Sequence, residues 1–226
     1  MLVACEFSGI VRNAFRARGH EAWSCDLLPA EDDERRFHFT GDVRAYIQPH
    51  LRWDLMVAHP PCTHLAVSGA RWFKDKREEQ AEALEFVRQL MDAPVPRICI
   101  ENPISIISSR IRKPDQIIQP WMFGHGETKA TCLWLKNLPK LEQTDAVVPE
   151  WAIRADGSIH MSAKGKRDSP THFITGRTTR VLTGPQLEQW ERIHKKPPGP
   201  DRWKNRSRTY QGIADAMAEQ WGSLGA

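Results

Sequence analysis

Short apolar runs, each closed by a polar residue and a turn, alternate with longer amphipathic stretches through the first two thirds of the chain. Leu2 to Cys5 reads as a strand, followed by the turn Glu6-Phe7-Ser8-Gly9 and a helix over Ile10 to Arg18. Glu21 to Cys25 is a second strand ending in Asp26, and the charged Pro29 to Arg36 reads as an exposed loop or short helix. Leu55 to Ala58 is four apolar residues in a row, the mark of a strand buried on both faces. From Lys76 to Asp92 the period lengthens to that of a helix: Ala83, Leu84, Val87 and Met91 share one face, with Glu and Arg opposite. Arg97 to Ile100 is another strand, with Glu101 at its end before Asn102-Pro103. Strand, helix, strand in that order predicts a βαβ unit with parallel strands, and the chain reads as an α/β fold with a mostly parallel central sheet. Gly184 to Lys195 looks helical, and a last helix to Trp221 buries Ile213, Met217 and Trp221.

Two of these strand ends carry candidate chemistry. After Leu55–Ala58, His59-Pro60-Pro61 stops the strand, because proline supplies no N–H and restricts the residue before it. Cys62 is thereby set on a rigid turn past the carboxyl end of a strand, where open α/β sheets bind ligands. A lone cysteine is more often a small buried hydrophobe, but Glu101 lies on the same edge after the next strand. A nucleophile beside a carboxylic acid on one rim is a catalytic arrangement. Asp26, about 20 residues past the first strand–helix turn, suits a ribose-binding acid; a strand-end cap is the alternative. Asp42, in Gly41-Asp42-Val43-Arg44, reads equally as an N-cap for Val43 to Gln48.

Composition narrows the class. With 226 residues, 40% hydrophobic and 27% charged, the chain fits one soluble globular domain. No apolar run nears bilayer length, and Met1 to Cys5 is too short for a signal peptide, so a cytoplasmic protein is expected. The five cysteines are scattered without a CxxC pair, giving neither a disulfide framework nor a metal site. Cys25, Cys99 and Cys132 lie in apolar runs and read as core. The net charge of +4 is uneven: Arg154 to Arg208 holds 13 Lys and Arg against 5 Asp and Glu. That segment suits a polyanion such as nucleic acid, or is simply a solvated surface.

Pro-Pro-Cys62 followed 39 residues later by Glu101-Asn102-Pro103 resembles the S-adenosylmethionine-dependent DNA cytosine-C5 methyltransferase family, and is most similar to its small phage- and prophage-encoded members. The resemblance implies a Rossmann-like methyltransferase fold, Cys62 as the nucleophile and Glu101 as the acid, for which a raised pKa would suit. It places S-adenosylmethionine against Glu6, Phe7, Ser8, Gly9, Asp26, Asp42 and Pro60. Phe7 would pack on the adenine, Asp42 would take its amino group, and the first helix would turn its N-terminus to the cofactor's polar end. Pro61, Asn102, Lys129, Arg71 and Arg110 would meet double-stranded DNA with a cytosine flipped out. Residues 1–137 would form the catalytic and cofactor-binding core, 138–205 a reduced basic recognition insert, and 206–226 a helix returning to the core of a monomer. A C5-modifying enzyme of RNA or free nucleotide, and a non-catalytic cofactor- and nucleic-acid-binding protein, stay open as alternatives.

Overall fold

The computed structural model describes residues 1–67, 76–156, 178–190 and 207–224. Seven strands form one sheet: β1 (Leu2–Ala4), β2 (Trp23–Asp26), β3 (His38–Thr40), β4 (Leu55–Ala58), β5 (Arg97–Pro103), β6 (Gln116–Ile118) and β7 (Thr131–Lys136). Their order is β3-β2-β1-β4-β5-β7-β6. The first five pair in parallel, while β7 runs antiparallel between β5 and β6. This is the expected Rossmann-like α/β sheet. Its strand order reverses between β1 and β4, and the crevice outside the carboxyl ends of those strands is where such sheets take ligands.

Strand periodicity explains how both faces are filled. In β1, Leu2 and Ala4 face one side and Val3 the other, since successive side chains alternate. Leu2 and Ala4 join Met56, Ala58, Ile98 and Ile100 in the core under helix α2 (Arg77–Met91). Val3 joins Val57, Cys99 and Leu133 in the core under α1 (Ile10–Arg16) and the C-terminal helix. On α2 the buried residues are Leu84, Val87 and Leu90, each contributing about 1.5–3 kcal/mol. Met91, expected on that face, is only partly buried, because Leu90 takes the inward position at i+3 from Val87. A four-residue helix, α3 (Ile107–Arg110), follows β5. The closing helix, α4 (Gln211–Gly222), buries Ile213, Met217 and Trp221 as expected, with Ala214, Ala216 and Ala218 alongside, and packs on α1.

Three elements differ from expectation. The edge strand β3 follows a 3-10 turn at Arg35–Phe37 and has a partly exposed pattern, too short for periodicity to reveal. Glu101 lies inside β5 rather than at its end, because antiparallel pairing with β7 carries the strand on to Pro103 after the parallel ladder with β4 stops at Ile100. Of the helix expected over Gly184 to Lys195, Gly184–Gln189 is a 3-10 turn followed by extended backbone at Trp190, and 191–195 lie outside the described residues. Within 138–205, β8 (Asp145–Pro149) and β9 (Thr178–Leu182) pair in parallel as a second, two-stranded sheet. Val147, Val148 and Leu182 bury into the same core that covers α1 and α4.

Candidate active site

The Cys62 turn is strapped to the exit of β5. The His59 N–H donates to Ala4 O at 2.9 Å, carrying the chain across the end of β1. Cys62 O accepts from Leu65 N (3.0 Å) and Ala66 N (2.9 Å), closing a tight turn on which the Cys62 side chain is exposed. Val67 N donates to Ile104 O (3.1 Å) and Ile106 N to Leu65 O (3.0 Å), around an Ala66–Ser105 bridge. From below, the Asn102 amide donates to Pro60 O at 2.8 Å. Cys25, Cys99 and Cys132 are buried as expected, and Cys62 is the contrast: it is not a core residue.

Asn102, expected to meet substrate, is instead 1% exposed; its side chain is committed to the proline turn, which is a positioning job. Pro61 lies exposed beside Cys62 and Pro60 is buried beneath. Arg110 ends α3 on the surface, and Arg71 lies outside the described residues.

Glu101 is nearly enclosed, and His59 Nδ1 sits 2.9 Å from its Oε2. Burial pushes the Glu101 carboxyl up, but the bond and charge of His59, with Lys129 and Thr131, more than offset it, and its pKa falls below the ordinary 4.5. The raised pKa expected for a standing acid is therefore not what this site produces. Burial pushes His59 down, while Glu101 and Glu6 on either side outweigh that and Lys129 opposes them; the net direction is up from 6.5. Each partner thus favours the charged form of the other.

The first strand–helix turn is closed by its own acid. Glu6 is 5% exposed and accepts from Val11 N (2.7 Å) and Arg12 N (3.2 Å), satisfying first-turn donors of α1. The helix N-terminus expected to face a cofactor is thus already occupied by a side chain. Ser8 Oγ donates to the same carboxylate at 3.4 Å. Gly9 caps the helix at φ 72°, and a Cβ there would strike the Arg12 guanidinium and Asp32, so only glycine fits. Arg12 itself is fully buried and paired with Asp32.

The remaining cofactor candidates stand along the carboxyl edge beyond β1. Phe7 O accepts from Glu31 N at 2.9 Å, and Glu31 pairs with Arg208 at 2.7 Å, which brings the chain's return toward α4 beside this turn. Asp26 is half-buried, accepts from Leu28 N at 2.9 Å, and burial raises its pKa. Leu27 next to it is 75% exposed. Asp42 is exposed, caps the 3-10 turn Val43–Ala45 through Arg44 N, and pairs with the Arg44 guanidinium, which lowers its pKa.

No protein-family model matches the sequence, and no curated protein matches it. Among solved structures, a protein from E. coli assigned as a DNA modification methyltransferase encoded within a prophage aligns over 60% of this chain and 46% of its own, at 14% identity and a TM-score of 0.38. This chain spans about half the length of that neighbour.

Lys129 stands at the far side of the rim. Its Nζ lies 3.5 Å from Arg208 O and 5.7 Å from the Tyr210 ring centre, and its charge acts on Glu101. Tyr210 Oη donates to Glu127 at 2.7 Å, and Gly212 N donates to the His125 ring at 3.0 Å. The turn Phe123–Lys129 is thereby docked onto the start of α4. Among the described residues no group of His, Cys, Asp and Glu could hold a metal ion, and no helix is long and apolar enough to cross a membrane.

Sequence reasoning passed over His59, treating it only as the end of a strand. The signal was present. Ala58 pairs with Ile100 in parallel register, so the next residue on each strand, His59 and Glu101, stand side by side.

Proposed function

We propose that this chain is a DNA cytosine-C5 methyltransferase that uses S-adenosylmethionine and acts through a covalent Cys62 adduct. The observation that supports this most is the exposed Cys62 on a turn strapped to the strand that carries a buried, hydrogen-bonded Glu101, both at the ligand-binding edge of the sheet.

The edge beyond β1 and β2 fits the cofactor. Asp26 offers a half-buried carboxylate whose assigned donor is a backbone N–H, which suits sugar hydroxyls, and exposed Leu27 suits a flat base. Asp26, Asp42 and Phe7 would hold the nucleoside, with the backbone of Ser8, Gly9 and Pro60 beside it and Glu6 shaping the turn. When bound, the cofactor supplies an electrophilic methyl group.

C5 of cytosine is a poor nucleophile. Addition of the Cys62 sulfur to C6 moves electron density to C5 and N3, and Glu101 holds N3 as that density arrives. The two side chains address adjacent parts of one ring, so they must share a rim. After C5 is substituted and loses its proton, Cys62 is expelled and the ring's double bond re-forms. A duplex base must first leave the stack. Lys129, Arg110 and Pro61 would meet the substrate, Arg71 is assigned to it from the sequence alone, and the basic segment Arg154–Arg208 would track phosphates.

The test is mass spectrometry of nucleosides from cells expressing the chain. 5-Methylcytosine is expected in DNA, absent with Cys62→Ser, and DNA bearing 5-fluorocytosine should trap the protein. Modified cytosine in RNA alone would replace DNA as the substrate, and full activity of the serine variant would remove the covalent mechanism.

A further inference from the structure

We propose that His59 is the proton reservoir of this site: its imidazole supplies, through Glu101, the proton that reaches N3 of the cytosine, and takes it back when Cys62 leaves. The inference rests on the proposed cytosine chemistry and adds a residue to it.

The argument starts from a mismatch. N3 of neutral cytosine is a hydrogen-bond acceptor, and an ionised carboxylate only accepts. Two acceptors cannot bond without a proton between them. His59, 2.9 Å away in a nearly closed site, favours the ionised form of Glu101. The missing proton is therefore on the imidazole, one hydrogen bond from the carboxylate that needs it.

Every charged group acting on His59 has an identifiable place. Glu101 comes from β5 and Glu6 from the turn after β1, and both favour the imidazolium. Lys129, from the turn before β7, opposes it. Asp26 at the end of β2 also feels the His59 charge. His59 Nε2 is buried with no hydrogen-bond partner among the described residues, so the assigned hydrogen-bonded route for a proton runs through Nδ1 to Glu101. Register fixes the arrangement: β4 and β5 pair Ala58 with Ile100, which sets the imidazole and carboxylate at adjacent strand positions.

The step balances. As the Cys62 S–C6 bond forms, the C5=C6 electrons shift toward N3. N3 takes a proton from Glu101, and Glu101 takes one from His59 Nδ1, leaving neutral imidazole and a carboxylate. After C5 takes the methyl group, the C5 proton leaves to solvent, the C5–H electrons re-form C5=C6 as sulfur departs with the S–C6 pair, and N3 returns its proton through Glu101 to His59. No oxidant or further reactant enters.

His59→Gln tests this, since the amide keeps a hydrogen bond to Glu101 but cannot carry a proton. Two readouts are needed: tritium release from DNA labelled at cytosine C5, and single-turnover methyl transfer from pH 5 to pH 10. The variant is expected to lose about 100-fold in both, with the wild type's alkaline limb absent from its profile. In the wild type, that limb should coincide with the His59 titration followed by NMR on histidine-labelled protein, a comparison that holds even if the variant fails to fold. A variant within about threefold of wild type, or a limb that departs from the His59 titration, overturns the reservoir alone. A wild-type protein that releases no tritium from any cytosine substrate overturns the cytosine chemistry, which is a separate failure.

Discussion

Glu6, in the turn after β1, and Glu101, inside β5, are both carboxylates drawn away from solvent, and the protein treats them in opposite ways. Glu6 feels the His59 charge from a distance but is bonded only to backbone N–H groups of Val11 and Arg12 and to Ser8 Oγ, and burial still raises its pKa. Glu101 is bonded directly to His59, and despite its enclosure its pKa falls. Neutral donors satisfy a carboxylate's lone pairs but return only part of the solvation it loses, whereas a cationic partner restores the charge balance as well. The first acid is a cap that holds a turn in shape, and the second is poised for proton traffic.

That contrast can be broken most forcefully in the reaction. Glu101→Gln should lower methyl transfer by about 10²–10⁴-fold, the scale of a lost acid, measured in single turnover with saturating cofactor. An equal loss from Glu6→Gln would erase the difference between the two residues.

Stability offers the next test. Glu101→Ala removes the bonded partner of His59, a loss of up to about 3–5 kcal/mol at pH 6 that shrinks at a higher pH, past the folded value of the imidazole. Glu6→Ala strands backbone donors for about 1–3 kcal/mol, with no comparable fall between those pH values. Urea denaturation at both pH values decides; a Glu6→Ala loss that shrinks in the same way would contradict the electrostatic account.

The pH dependence of the wild type sharpens it further. His59 has a pKa raised above 6.5, so its contribution is complete below 6.5 and is lost as pH rises through the higher folded value. Glu101 has a pKa lowered below 4.5, so its contribution is present above 4.5 and is lost as pH falls through the lower folded value. Together they stabilise a plateau from 4.5 to 6.5, and their contribution fades outside it, toward the folded value of each group. Glu6 works against it, because a raised carboxylate pKa makes stability decline as pH climbs from 4.5 toward its folded value. Glu6→Gln should flatten that decline, and an unchanged unfolding profile would refute the assignment.

The same distinction recurs at smaller scale between Asp26 and Asp42. Asp42 already pairs with Arg44, whereas Asp26 keeps a half-buried carboxylate with backbone partners. Asp26→Asn should weaken S-adenosylmethionine binding by about 1–3 kcal/mol, and Asp42→Ala by less, in calorimetry. The reverse order would make Asp42 the principal contact.

Much of this was legible in the chain itself. The apolar runs at Leu2, Trp23, Leu55 and Arg97 and the helical period through Leu84 and Val87 were enough for the parallel sheet, because strands covered on both faces must be apolar throughout. The turn at Cys62 was legible because prolines end β4, whereas Glu101 was misread as a strand end because Pro103 does not stop the antiparallel pairing with β7. The direction of the Glu101 pKa was not, since it depends on His59, a residue 42 positions away that only strand register brings alongside. The inward turn of Asn102 was hidden for the same reason: its partner is a carbonyl in another loop. β3 was missed because a three-residue edge strand carries no period to read.

The distribution of sulfur has a practical consequence. Four of the five thiols are withdrawn from reaction: burial pushes Cys25 up to about 12 and Cys132 to about 11, and raises Cys5 and Cys99 as well. Cys62 alone is exposed. A maleimide dye or an electrophilic inhibitor would therefore mark one position per molecule with no cysteine removed beforehand. Mild peroxide would act at the same atom, turning it to a sulfenic acid that a reductant reverses, so under the proposed mechanism activity would be switched off and restored while the core stays folded.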